Sequence, residues 1–338
     1  MKANPLEIDP HGRKSGLRRL TWKAQKEQHR RTVERVPEVV IKVQGGGKTV
    51  ADVRRYMKYI SRDGMLPAVD DQGEKIAGKE AVKNLQDKWD MDMGRGQGKL
   101  HQSFNLILSM PADTNPDKLF VAVQRWAAEQ LPNHEYMMVL HTHETDPDPN
   151  PPKHPHVHIA LKAEDRDGKR IHIRKATINI WREAFADKLR EQGIEANATR
   201  RRDRGVSKKA KSGAEWHIEK NFKDGKLHRD GTPYEPSKAQ AARFAEATQE
   251  LREGTVKPKP WEAAMQARRR DVLRTYKADA DRLRAEGDVE LAAKVERFAA
   301  EMPPLTTERH EMQRALKDQV QERLRAQQTK DLGGPVSP

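Results

Sequence analysis

Residues 135–163 read EYMMVLHTHETDPDPNPPKHPHVHIALKA and carry the strongest structural pattern in the chain. Two apolar segments, residues 135–144 and 154–163, flank a loop rich in proline and aspartate, which predicts two neighbouring strands. Side chains two residues apart lie on the same face of a strand. The second segment therefore places its histidines on one face and its proline, valine and isoleucine on the other.

The segments on either side predict further strands and helices. In chain order these are a strand, glycine turn and helix in residues 37–64, a short helix near 79–89, a strand at 103–110, a helix at 116–131, a short strand at 168–173 and a helix at 177–192. The apolar residues of the helices recur at helical spacing, and those of the strands alternate. We therefore expect an α+β fold, in which helices cover a largely antiparallel central sheet.

The composition limits the classes of protein to which the chain can belong. It has 338 residues, of which 35% are hydrophobic, and it has no cysteine. The absence of cysteine excludes a disulfide scaffold, a thiolate zinc site, an iron–sulfur cluster and a cysteine nucleophile. The hydrophobic fraction is low for one globule of this size, so we expect a compact domain flanked by solvated segments.

Positive charge is concentrated in two segments. The formal net charge is +14, and residues 1–36 and 200–230 each contribute +6 of it. Clustered lysine and arginine favour a polyanion partner, because they neutralise phosphates and release counterions. Two unstructured basic tails would give the same distribution, so charge alone leaves both interpretations open.

Nothing in the sequence predicts attachment to a membrane. No run of about 18 apolar residues occurs, and the N-terminal segment MKANPLEIDPHGRKSGLRR lacks the apolar centre of a secretory signal. We therefore expect a cytoplasmic protein without membrane insertion.

Five of the thirteen histidines lie between residues 141 and 158. His141 and His143 share a face at the end of the first predicted strand, and His154, His156 and His158 share a face of the second. Three neutral imidazoles with open coordination positions would bind a divalent cation and leave room for a phosphate oxygen. The alternatives are a chance cluster or a pH-sensitive surface; a zinc hydrolase of HExxH type is disfavoured because that motif is absent.

Two of the five tyrosines lie in one predicted helix, in the sequence RRYMKYISRDG. Tyr56 and Tyr59 are three residues apart and share a side of this helix, with Arg55, Lys58 and Arg62 nearby. Nearby cations favour the phenolate, which is the attacking form of a tyrosine nucleophile. By spacing alone, however, core aromatic residues of an amphipathic helix are the favoured interpretation.

The sequence GGGKT at residues 45–49 superficially resembles a phosphate-binding P-loop. That motif requires its first glycine at position 42, which is occupied by Lys42, and no Walker-B strand is evident. We therefore do not expect nucleotide hydrolysis.

Together these motifs resemble the plasmid mobilisation relaxases of the HUH endonuclease superfamily. The P-type mobilisation group, which includes the T-DNA border endonuclease of Agrobacterium, is the most similar. Four markers occur in the family's order: the strand–GGGKT–helix–YISRDG series, SFNLILSMPAD, HTHE…HPHVHIALK, and the basic segment TRRRDRG. The likeness covers about residues 37–206, and the joint occurrence of the markers is more specific than any one of them.

The resemblance implies roles for individual residues. Tyr59 stands at the position of the family's nucleophilic tyrosine, and Ser109 at that of the serine in the second motif. His156 and His158 correspond to the HUH metal ligands, and His141 is the best third ligand.

The chain departs from the family's pattern in two places. His143 stands where close relatives carry an aspartate, and the loop before HPHVH is lengthened. His143 therefore stays open as an alternative third ligand. His154 is then expected to support a ligand or to act as a general base, and Tyr56 has no assigned counterpart.

On this resemblance, the protein nicks one strand of single-stranded or supercoiled DNA at a plasmid transfer origin. A divalent metal, magnesium or manganese, polarises the scissile phosphate, and tyrosine attack leaves a 3′-hydroxyl and a reversible 5′-phosphotyrosyl link. Trp216 and His217 are available for base stacking. The residues expected to bind DNA are Arg55, Arg62, Arg200, Arg201, Arg202, Arg204, Lys208 and Lys209.

The chain is accordingly expected to have five parts. These are a basic N-terminal extension (1–36), a relaxase domain (37–206), a basic linker (207–235), a helical C-terminal region (236–328) and a disordered tail (329–338). The helical region is expected to bind relaxosome accessory proteins or a secretion coupling protein, or to be a solvated helical tail.

Two other functions fit part of the pattern. A rolling-circle replication initiator uses the same chemistry, although initiators usually present the tyrosine after the histidines, whereas here it comes before them. A non-catalytic DNA-binding protein with a structural metal is the second alternative. It differs from a relaxase in forming no covalent link to DNA.

Overall fold

The computed structural model describes residues 21–92, 98–207, 213–254 and 259–332. The chain forms two units, and the division falls between Thr199 and Arg200. This point lies inside the basic segment TRRRDRG, so its arginines belong to the second unit.

The first unit contains a six-stranded sheet with the strand order β1-β4-β6-β5-β2-β3. All neighbouring strands in this order are antiparallel. The predicted α+β class with an antiparallel central sheet is confirmed. The strands are β1 (Val40–Val43), β2 (Ala68–Asp70), β3 (Lys75–Ile76), β4 (Ser103–Ser109), β5 (Tyr136–His141) and β6 (His156–Lys162).

Helices cover both faces of this sheet. One face packs apolar residues such as Leu106 and Val157 against α4 and α5. The opposite face packs Met137 and Val139 against α2 and α3. The helices of this unit are α1 (Trp22–Val33), α2 (Val50–Ile60), α3 (Lys79–Asp92), α4 (Pro116–Gln130) and α5 (Lys175–Glu191).

Strand β6 lies inside the sheet between β4 and β5, and all seven of its residues are buried. Val157, Ile159 and Leu161 point into the core beneath α4 and α5. The alternate residues must therefore lie on the face that α2 covers, because the side-chain period of a strand is two. His156 and His158 are among these alternate residues.

Two sequence predictions about this sheet need correction. The strand predicted at residues 168–173 is wrong, because this segment has only an isolated bridge between Glu164 and Arg170. Strands β2 and β3 were not predicted, since they are only three and two residues long and show no alternation. They form because β2 pairs with β5 and β3 pairs with β2.

The second unit is helical, as expected for the C-terminal part of the chain. Its central packing includes α8 against α9 and α7 against α10. The buried Arg309 bridges Glu250 and Glu262 at 2.6 Å each. The elements are a 3₁₀ turn (Arg201–Arg204), α6 (Gly213–Lys223), α7 (Lys238–Glu253), α8 (Pro260–Ala285), α9 (Val289–Ala300) and α10 (Glu308–Leu332).

Among the helices of the described ranges, none is both long and apolar enough to cross a lipid bilayer.

The glycine loop between β1 and α2 packs directly against the start of β4. The Gly47 amide donates to the Ser103 hydroxyl at 3.2 Å. A Cβ atom on Gly46 would lie 1.8 Å from the carbonyl oxygen of Ser103. Thr49 then caps α2, and Asp52 completes a capping box that fixes where the helix begins.

We expect Gly46→Ala to lower the free energy of unfolding by about 1–3 kcal/mol, because the added methyl group forces the loop away from β4. Urea denaturation of the full chain measures this loss. The control is Gln44→Ala, an exposed position in the same loop, where a change within about 0.5 kcal/mol is expected. Equal stability of the two variants would show that the loop relaxes freely.

Candidate metal centre and adjacent tyrosines

The register of β5 and β6 brings three histidines together. His141 pairs with His156 across the two strands, and His158 lies two residues further along β6. The ring centroids are 4.7 Å apart for His141 and His158, 5.2 Å for His141 and His156, and 5.0 Å for His156 and His158. All three side chains are buried, and one nitrogen atom from each lies within 4.8 Å of the other two. We call this group the histidine triad.

Each Nδ1 atom of the triad has a hydrogen-bond partner. The Nδ1 atom of His141 lies 2.7 Å from Asp146 Oδ2. The Nδ1 atom of His156 lies 3.1 Å from the His154 carbonyl oxygen. The Nδ1 atom of His158 lies 3.2 Å from the Tyr56 hydroxyl. Metal-binding histidines typically use one ring nitrogen for the ion and anchor the other in this way. The triad could therefore hold a metal ion through its three Nε2 atoms.

The Nε2 atom of His141 also lies 2.7 Å from the carbonyl oxygen of Ile60. Asp146 and this carbonyl are both acceptors, and a neutral imidazole carries only one N–H. A neutral His141 that donates to Asp146 therefore leaves an unshared nitrogen lone pair facing Ile60. Binding of a cation at Nε2 would use that lone pair.

Burial keeps the triad uncharged. It lowers the pKa of His156 to about 4 and lowers the pKa values of His141 and His158 as well. Repulsion between neighbouring imidazolium groups acts in the same direction for His156 and His158. Neutral imidazole is the form that binds a metal, so the triad is ready to do so at neutral pH.

Asp146 links the triad to the end of α2. Its buried carboxylate accepts two hydrogen bonds from Arg62, at 2.8 Å and 2.9 Å, in a bidentate pair. Burial alone would raise the pKa of Asp146, but the hydrogen bonds from Arg62, from the Asp148 amide and from His141 hold it well below its usual range. Asp146 was not among the residues predicted from the sequence, although it lies in the loop that joins the two strands of the histidine triad.

The two tyrosines of α2 have different environments. The Tyr56 hydroxyl contacts His158, and burial raises the pKa of this phenol well above its usual value. Tyr59 is 53% exposed, and its ring centroid lies 6.1 Å from that of His158. The guanidinium carbon of Arg62 lies 4.9 Å from the Tyr59 ring centroid.

Three further residues were predicted near the metal, and only some of them lie beside the triad. Ser109 is buried and pairs with His156 across β4 and β6, so it shares the histidine face. His154 precedes β6 rather than lying on it, and it is exposed. The prediction that it shares a strand face with His156 and His158 is therefore wrong, although its ring lies 5.4 Å from that of His156. His143 is exposed and bonds the Pro151 carbonyl instead of joining the triad.

The residues predicted to bind DNA are divided between the two units. Arg55 is exposed on α2, whereas Arg62 is mostly enclosed by its contacts with Asp146 and Asp148. Arg201 and Arg202 are exposed in the second unit, and Arg200 and Arg204 are partly exposed there. Trp216 and His217 are exposed on α6, and Lys208 and Lys209 lie outside the described residues.

Residues 67–194 match the family described as "Relaxase: MobA/VirD2-like, nuclease domain". The matched segment contains the histidine triad and Ser109, and it begins after Tyr59. This part of the chain is therefore similar to the nuclease domain of DNA-nicking relaxases. The resemblance inferred from the motifs is confirmed.

A solved structure from a study of the molecular basis of vancomycin resistance transfer in Staphylococcus aureus shares 10% sequence identity with this chain. The alignment covers 48% of this chain and 99% of that one, with a TM-score of 0.33. No curated protein matches the sequence.

We expect Asp146→Asn to weaken binding of Mn²⁺ about 10–100-fold, because His141 loses the carboxylate that orients its ring. Calorimetric titration of the full chain with Mn²⁺ measures the change. The control is Asp148→Asn, since Asp148 lies 3.5 Å from Arg62 and is partly exposed. Unchanged affinity in Asp146→Asn would remove His141 from the set of ligands.

Proposed function

We propose that the protein is a DNA relaxase, which nicks one strand at a plasmid transfer origin and stays joined to the new 5′ end through a tyrosine. The observation that carries this proposal is the exposed Tyr59 ring beside the buried histidine triad. The match to relaxase nuclease domains supports it independently. The covalent link would allow the same enzyme to rejoin the strand after transfer and so to complete conjugative mobilisation.

We assign the nucleophile to Tyr59 rather than Tyr56. A nucleophile must reach a phosphorus atom within a DNA strand, and Tyr59 is 53% exposed. The Tyr56 hydroxyl is hydrogen-bonded to His158, and the raised pKa of Tyr56 disfavours the phenolate. We therefore propose that Tyr56 orients His158, and that Tyr59 carries out the attack.

In the proposed reaction, the phenolic oxygen of Tyr59 bonds to phosphorus as the bond from phosphorus to the 3′ oxygen breaks. The 3′ oxygen takes a proton and leaves as a hydroxyl group. One phosphodiester replaces another, so the reverse reaction rejoins the strand. A divalent ion held by the histidine triad, magnesium or manganese, would polarise the scissile phosphate.

Three further residues have proposed roles in this reaction. His154 is the proposed acceptor of the phenolic proton, since its exposed ring lies 5.4 Å from that of His156. Partial desolvation of the ring and the charge of Lys42 lower the pKa of His154, which favours the neutral base. Ser109 shares the histidine face and is proposed to bond a phosphate oxygen. Arg62 is proposed to position Tyr59 through its contact with the ring, while its bonds to Asp146 hold the guanidinium in place.

The second unit and its basic segment are proposed to bind the origin DNA and partner proteins. Arg200, Arg201, Arg202 and Arg204 would contact the phosphate backbone, as would Lys208 and Lys209, and Trp216 would stack on bases. The helices from α7 onwards would contact relaxosome accessory proteins or the secretion coupling protein. We place this activity in the cytoplasm, where plasmid DNA is available.

We expect Tyr59→Phe to abolish the covalent band that the protein forms with an origin oligonucleotide on a denaturing gel in the presence of Mg²⁺ or Mn²⁺. The phenyl ring has no oxygen to attack phosphorus. Tyr56→Phe is the matched control and should retain the band, because it removes only an anchor of His158.

Two outcomes would contradict the assignment. A covalent band with Tyr59→Phe but not with Tyr56→Phe would transfer the nucleophile to Tyr56. No band with the unaltered chain, across both metals and several candidate origins, would favour a non-catalytic DNA-binding protein.

Binding of single-stranded DNA should weaken steeply as salt rises, because phosphate contacts release counterions. The double variant Arg201→Ala/Arg202→Ala should flatten a plot of log affinity against log salt by about 0.7 per lost contact. Fluorescence anisotropy measures this slope. Arg274→Ala/Lys277→Ala removes the same charge from exposed positions on α8 and should leave the slope unchanged; equal slopes for both variants would refute the assigned role of the arginines.

A further inference from the structure

An open cleft of about 500 Å³ lies between the glycine loop and α2. Gly46, Gly47 and Lys48 form one side of the cleft. Asp52, Arg55, Tyr56 and Tyr59 form the other side, and Asn105 of β4 completes the lining. The roles proposed above use Tyr56 and Tyr59, and Arg55 is expected to bind DNA, but the glycine loop, Asp52 and Asn105 have no function yet.

Asn105 shares the sheet face of the histidine triad. It pairs with Ala160 in β6, and Ile107, two residues along β4, pairs with His158. Residues two apart along a strand are separated by about 7 Å and point the same way. The Asn105 side chain therefore lies one step along the sheet from the candidate metal centre. This separation suits the nucleotide next to the attacked phosphate rather than the phosphate itself.

The side chain of Asn105 has hydrogen-bonding capacity that the protein does not use. Its Oδ1 atom is buried, and it has no hydrogen-bond partner among the described residues. A buried amide oxygen without a partner is costly, and a ligand that donates a hydrogen bond to it would remove that cost. A primary amide carries both donors and acceptors, which match the edge of a nucleobase.

The cleft suits a base better than a phosphate. Asp52 contributes a carboxylate to its lining, and this carboxylate already accepts hydrogen bonds from the backbone amides of Lys48 and Thr49. Asp52 also pairs with Arg55 at 3.3 Å. A phosphate there would therefore meet a carboxylate that already engages this guanidinium and the amides of Lys48 and Thr49. The rings of Tyr56 and Tyr59, by contrast, offer aromatic surface on which a base can stack.

We infer that this cleft holds the base of the nucleotide adjacent to the scissile phosphate, and that Asn105 selects that base. The inference rests on the proposed nicking function, because the attack by Tyr59 places the scissile phosphate at the edge of the same cleft. Lys48 is exposed in the lining and contacts the backbone of the bound nucleotide. The close packing of Gly46 on Ser103 keeps the glycine loop at the side of the cleft.

The test is a binding selection with the full chain and a library of single-stranded oligonucleotides that carry a randomised central segment. Sequences bound by the unaltered chain are compared with those bound by Asn105→Asp and Asn105→Ala. The aspartate removes the amide donors, and the alanine removes all polar contacts. We expect the preference for one base at a single position to change in Asn105→Asp and to fall about tenfold or more in Asn105→Ala, as for loss of a bidentate base contact.

Two controls separate selection of a base from general binding. Asn133→Ala removes an amide that bonds Asp167 in an exposed loop, and it should leave every preference unchanged. Lys48→Ala should weaken binding to all sequences equally. Melting temperatures within the range of the unaltered chain show that each variant is folded.

The outcomes distinguish this inference from the proposed function. Identical preferences for the unaltered chain and both Asn105 variants, together with a covalent band from the unaltered chain on its selected sequence, would overturn the inference and leave the nicking function intact. Absence of that band with both Mg²⁺ and Mn²⁺ would overturn the proposed function and the inference with it.

Discussion

The burial of β6 on both faces is the constraint on which the rest of the first unit depends. A strand between two neighbours and two helical layers has no exposed face, yet β6 carries His156 and His158. A buried polar group is costly unless it is hydrogen-bonded. Imidazole nitrogens of the triad are accordingly hydrogen-bonded by groups from the loop after β5 and from α2, which lie against this face of the sheet.

The partners that satisfy these nitrogens come from three separate parts of the chain. Asp146 comes from the loop after β5, Tyr56 from α2, and a backbone carbonyl from the residue two places before His156. The hydrogen bond between Tyr56 and His158 therefore holds α2 against the sheet, and the apolar contacts of that helix do so as well. Tyr59 lies three residues beyond Tyr56 on the same side of the helix. The hydrogen bond that holds Tyr56 against His158 therefore also positions Tyr59.

Arg62 extends this network to the exposed tyrosine. It has a positive φ of 49° just after α2, which turns the chain sharply and brings its guanidinium back towards the site. There it bonds Asp146 on one side and contacts the ring of Tyr59 on the other. One cation thereby supports, through Asp146, a proposed metal ligand and also contacts the proposed nucleophile, which explains why it is mostly enclosed.

The amino-acid sequence by itself determined the elements with strong local patterns. The alternation in β6, the capping residues Thr49 and Asp52 of α2, and the apolar stripes of α4 and α5 depend only on nearby residues. The sequence likewise pointed to His156 and His158, since a spacing of two on a strand requires a shared face. Strands β2 and β3 are too short to show such a pattern, and β2 is stabilised by pairing with the distant strand β5.

Only the tertiary structure decided how the histidines and tyrosines are used. His141 and His143 both belong to the same local motif, and the antiparallel register that sets His141 opposite His156 separates them. Tyr56 and Tyr59 are equivalent by helical spacing, and the docking of α2 against β6 partly buries Tyr56 and leaves Tyr59 53% exposed. Strand register and helix docking are set by contacts between residues far apart in the chain, which local periodicity does not encode.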